Sequence, residues 1–100
     1  MKPDMPQTVK VGPHVYSVLR KSGINFNGSC EFNTLQICVK KRLRRSKAQE
    51  ILLHECLHAC THPSLNGDRP YKDEEFVDGV APVLLQVLQD NPKLLEYLTQ

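Results

Sequence analysis

No apolar run of about 18 residues occurs in this sequence, which excludes a transmembrane helix. The first ten residues, MKPDMPQTVK, lack the apolar stretch of a secretory leader, so the expected compartment is a cytoplasm. None of the four cysteines stands in a CxxC pair, which argues against a zinc ribbon or a thioredoxin-type site. In a reducing compartment those thiols are expected to stay reduced. There is no internal repeat and no low-complexity tract. At 100 residues the chain has no room for a separate substrate domain. A core this small has limited stability, so a bound metal would contribute to folding. The 40% hydrophobic and 24% charged content is that of a folded domain, not of a disordered chain.

Charge is unevenly spread. Residues 1–47 hold ten Lys/Arg against Asp4 and Glu31, whereas residues 68–100 hold seven acids against three bases. Such halves attract one another and can orient a partner. Residues 1–7, with two prolines, read as a flexible tail, and residues 8–100 as a single domain. Val9 and Val11 alternate with Lys10 before Gly12-Pro13. His14 to Arg20 is β-branched and aromatic and reads as a strand. Residues 25–29, NFNGS, are turn chemistry. Thr34 to Lys40 alternates, with Leu35, Ile37 and Val39 on one side, as a half-buried strand does. Ser46 with Gln49 resembles a capping box at the start of a helix that Pro63 ends. A loop over 63–72 leads to a second helical segment, Asp73 to Asn91, with Pro82 expected to kink or restart it. Asn91-Pro92 opens a short last helix.

The informative stretch is His54-Glu55-Cys56-Leu57-His58, an HExxH sequence. Residues four apart share a helix face, so two imidazoles at this spacing can converge on one Zn²⁺. Glu55, a quarter-turn away, can reach a water beside that ion. Ile51, Leu52, Leu53, Leu57 and Ala59 spread around most of the helix, which predicts burial on all sides. Buried polar groups need partners, and a metal with its water would supply them. A catalytic zinc takes a third protein ligand and keeps one position open. The acidic run Asp73-Glu74-Glu75 offers it. Glu74 is favoured because it shares a face with Val77 and Ala81, with Asp73 and Glu75 behind it. An acidic first turn also complements the helix dipole without any metal. His62 is the rival, but Pro63 draws it off the helix. A metzincin would need histidine at Ser64 and glycine at Thr61.

HExxH with a downstream helical glutamate resembles the gluzincin arrangement. More narrowly, ILLHECLHAC and EEFVDGVAPVLLQVLQDNPKLLEYL resemble small phage and bacterial zincin-like metallopeptidases related to the ImmA/IrrE group. The resemblance covers roughly residues 8–98. It implies a small sheet, an active-site helix and a second helix with the acidic ligand. It also implies His54 and His58 as ligands, Glu55 as base and Glu74 as third ligand. The chain departs from longer members in lacking a helix-turn-helix and an extra substrate domain.

Lys40 to Lys47 carries six positive charges in eight residues, a pattern of nucleic-acid or acidic-partner binding as well as of a solvated connector. It has no interleaved aromatics for base stacking. Cys56 and Cys60 fall opposite the histidines and read as core, while Cys30 and Cys38 are candidates to approach each other across strands. Arg69 and Tyr71, in the loop, are candidate oxyanion donors. The expected fold is α+β, a minimal zincin-like domain with a small antiparallel or mixed sheet and two or three helices. The expected function is zinc-dependent peptide hydrolysis with one Zn²⁺ per chain, acting on a peptide or protein substrate in the cytoplasm, the host's if the chain is phage-encoded. The alternatives are a non-catalytic zinc-stabilised interaction protein and a nucleic-acid-binding protein using residues 40–47.

Overall fold

The computed structural model describes residues 2–61 and 73–100, with side chains of the second helix described from residue 79 onward. Four strands precede three helices: β1 (Thr8–Val11), β2 (His14–Lys21), β3 (Gly28–Glu31), β4 (Gln36–Lys40), α1 (Arg45–Thr61), α2 (Asp73–Asp90) and α3 (Pro92–Thr99). The chain is thus a small α+β domain with a mixed sheet. Strand order is β1-β2-β4-β3. β1 and β2 form an antiparallel hairpin, as do β3 and β4, and the two hairpins join through parallel β2 and β4. The first hairpin closes through Gly12-Pro13, and Gly12 sits at φ +58, where a side chain would be strained.

Strand alternation sets the core. Val9, Val11, Tyr16, Ile37 and Val39 pack against Ala48, Leu52, Cys56, Ala59 and Cys60 of α1 and against Val87, Leu94 and Tyr97. The helices therefore cover one face of the sheet. Cys38 lies on the other face, beside Ser29 in register, whereas Cys30 pairs with Ile37. Neighbouring positions of a strand point to opposite faces, so Cys30 and Cys38 do not meet and form no disulfide with each other.

Three local expectations change. β3 occupies residues that begin as turn chemistry. It exists because β4 supplies a partner edge, and pairing overrides weak propensity. Ser46 lies inside α1, which begins one residue earlier with the Ala48 amide bonded to the Arg44 carbonyl at 2.9 Å. Gln49 does not cap; its Nε2 donates to the Tyr97 carbonyl at 2.8 Å and ties α1 to α3. Pro82 does not divide α2, which is one helix from 73 to 90.

Residues 3–7, read as a tail, lie against the domain. Arg45 Nη2 donates to the Pro3 carbonyl at 2.8 Å, Met5 packs on the core, and the Val18 amide donates to the Gln7 carbonyl at 2.9 Å. Among the described residues no helix is long and apolar enough to cross a membrane.

A buried side chain at the α2–α3 junction locks β1 in place. Asn91 Oδ1 accepts from the Lys10 amide at 2.8 Å, and its Nδ2 donates to the carbonyls of Lys10 and Val87 at 2.9 and 2.8 Å. Asn91→Ala removes all three bonds. The expected loss is about 3 kcal/mol, at roughly 1 kcal/mol per bond. A melting temperature lowered by less than about 4 °C, the scale of a single kcal/mol in a domain this size, would contradict this role.

Candidate metal centre

α1 positions the HExxH residues on two different sides. Glu55 is buried at 6% exposure, and Cys56, Ala59 and Cys60 share its covered face. His54 and His58 are exposed, and so are Leu53 at 41% and Leu57 at 36%. The expectation of burial on all sides fails. A helix lying on one face of a four-stranded sheet has a single covered side, and its apolar composition does not change that. The histidine pair is a surface feature with an apolar rim.

The two imidazoles have the geometry of a pair of ligands. His54 Nε2 and His58 Nε2 are 3.2 Å apart, with ring centroids 4.8 Å apart and planes at 75°. Two nitrogens bound to one zinc at about 2.0–2.1 Å and near the tetrahedral angle lie about 3.3 Å apart. The separation therefore fits a shared ion; it also permits one ring N–H to donate to the other ring. Among the described residues no three His, Cys, Asp or Glu side chains come together to hold a metal. The pair by itself offers two of the three protein ligands that a catalytic zinc would take. The candidates for its completion, the side chains of Asp73, Glu74 and Glu75 and the whole of His62, lie outside the described residues, as do Arg69 and Tyr71.

Glu55 is aimed at edge strand β3. A Cβ on Gly28 would meet Glu55 Oε2 at 3.1 Å and Ile51 Cγ2 at 2.5 Å, so only glycine admits this approach of α1 to β3. The electrostatic neighbours of the Glu55 carboxylate are Cys30 and Cys56. Burial, then the Glu55 charge with Cys60, pushes the Cys30 thiol up to about 12. Burial, then Cys60, Cys30 and the Glu55 charge, pushes Cys56 to about 12. Burial also raises Cys60. Thiols held protonated are poor nucleophiles, and Cys56 and Cys60 pack in the core, as their helix positions predict. Tyr16 is in the same cluster; its hydroxyl is raised by burial, then by Cys30 and Cys60.

Sequence reasoning missed Gly28 and Cys30 as the wall beside Glu55. The only signal was the glycine in NFNGS, which reads equally well as a turn.

α2 presents Val80, Val83 and Val87 inward, while Ala81 is exposed. The inward face expected to run through Glu74, Val77 and Ala81 is therefore not the one that packs at residues 79–90.

No family of known proteins, no curated protein and no solved structure matches this chain.

Proposed function

We propose that the chain is a zinc-dependent, zincin-like metallopeptidase, in keeping with its resemblance to the ImmA/IrrE group. The observation that carries the reading is the 3.2 Å separation of two exposed Nε2 atoms, one turn apart, with a buried carboxylate between them in sequence. His54 and His58 would hold the ion through Nε2, and Glu74, in the first turn of α2, would complete it. When bound, zinc supplies Lewis acidity and a water acidified to about pKa 7. Neutral imidazoles give their Nε2 lone pairs and keep Nδ1–H to donate elsewhere. Glu55, buried on the β3 side of α1, would have to turn its carboxylate toward the histidine face, where it would take the proton of the attacking water and deliver it to the leaving amine. Leu53 and Leu57, exposed beside the histidines, offer an apolar surface to a substrate side chain.

The third ligand is the sharpest test of this reading. The resemblance favours Glu74, whereas the inward Val80 and Val87 repeat at seven, a spacing that runs back to Asp73, so all three acids of the turn are compared. Glu74→Gln is expected to weaken zinc binding by at least about tenfold, the scale on which even supporting residues act. Glu75→Gln and Asp73→Asn are expected to change it little. Isothermal titration with zinc decides. A loss confined to Asp73→Asn reassigns the ligand, and no loss in any of the three refutes a ligand from α2.

A further inference from the structure

The fold gathers more positive charge than the run 40–47 contains. β2 and β4 run parallel and end together, with Lys21 beside Lys40 in register. The Lys41 amide donates to the Lys21 carbonyl at 2.8 Å, which fixes the following turn to β2. Arg20 Nη2 donates to the Lys40 carbonyl at 3.1 Å and stays exposed. Arg20, Lys21, Lys40, Lys41, Arg42 and Arg44 thus converge at one end of the sheet, where α1 begins with no acidic residue in its first turn. Among the described residues none of these six has an acidic partner; the nearby Glu50 is taken by Lys47 at 3.0 Å. Arg45 is not part of this set, since it binds the Pro3 carbonyl and lies 4.7 Å over the Tyr97 ring.

Two further observations point to a ligand. Arg42 stands at φ +65, a conformation glycine adopts freely and arginine does not, so an arginine is held at the tip of the turn at a conformational cost. Phe26 is 51% exposed in the loop between β2 and β3, at this same end of the sheet. The Asn27 carbonyl next to it accepts the Lys40 amide at 2.8 Å. The sequence of the basic run has no aromatic in it, but the tertiary structure brings one to its side.

The geometry points to a binding surface for single-stranded nucleic acid, with the phosphates along the cations and a base stacked on Phe26. Cations that follow a backbone, together with an exposed aromatic ring, are how sequence-tolerant single-strand binders work. An acidic peptide would pair with the cations but has no use for the ring. The surface lies about 15 Å along α1 from His54, at 1.5 Å per residue from Arg44, so it is separate from the histidine pair.

The experiment is fluorescence anisotropy of labelled oligo(dT) and oligo(U) with the full chain. Binding is expected to weaken with salt at a slope near −3 for about four phosphates neutralised. The double variant Lys41→Glu/Arg44→Glu is expected to lose about a hundredfold in affinity at low salt, and Lys93→Glu, on α3, to lose almost nothing. Phe26→Ala is expected to weaken binding about tenfold, within the range for one stacked base. Arg42→Gly removes a charge while relaxing the turn, so its weaker binding comes without a lowered melting temperature. His54→Ala binds as wild type. Tighter binding to phosphatidylserine vesicles or to poly-glutamate than to either strand overturns the proposal. So does binding to duplex DNA that is indifferent to Phe26, or affinity unchanged in the double variant.

Discussion

Replacing His54 or His58 by alanine is expected to abolish stoichiometric zinc binding and the thermal stabilisation that zinc confers. Either change leaves one imidazole and one acidic ligand, too few for a tetrahedral protein site. Zinc at about a hundredfold excess over its dissociation constant stabilises the wild type by about 2.7 kcal/mol through mass action. In a domain of this size that raises the melting temperature by roughly 10–20 °C. Both histidines are exposed, so in the absence of zinc the variants are expected to melt within about 0.5 kcal/mol of wild type, as surface substitutions do. The metal effect and the folding effect are thereby separable. Calorimetry with and without zinc, alongside metal content of the purified proteins, is the measurement. A wild type that stays metal-free in micromolar zinc, or variants that retain one zinc per chain, would refute the site.

Glu55→Gln is expected to keep zinc and lose hydrolysis by about a hundredfold or more, the scale for removing a positioned general base. Glu55 is a buried carboxylate, and taking a charge out of water opposes folding. The neutral isostere is therefore expected to raise stability, by about 1 kcal/mol, while activity falls. The thiols of Cys30 and Cys56 are expected to shift downward as the Glu55 charge disappears, a change readable by alkylation rate against pH. A structural role alone predicts no loss of turnover. Cleavage that survives in Glu55→Gln removes this residue from the mechanism. No cleavage by zinc-loaded wild type across a broad peptide library assigns the chain instead to the zinc-stabilised interaction proteins.

The sequence alone determined the features that repeat along one element. The i, i+4 spacing of His54 and His58 puts both side chains on one helix face, close enough for their Nε2 atoms to stand 3.2 Å apart. Period-two alternation placed Ile37 and Val39 in the core. The opposition of Cys56 and Cys60 to the histidines follows from 3.6 residues per turn. The tertiary structure alone decided what depends on a distant partner. β3 exists because β4 offers it an edge. Glu55 is buried and the histidines beside it are exposed because the sheet covers only one side of α1. Gln49 reaches Tyr97, 48 positions away, instead of its own helix start. Arg20, Lys21 and Phe26 join the basic run because two strands distant in sequence run parallel and end together. A local pattern specifies its own period and faces. It carries no information about which face another segment will cover, since that is set by long-range pairing and by the free energy of burying the largest shared apolar area.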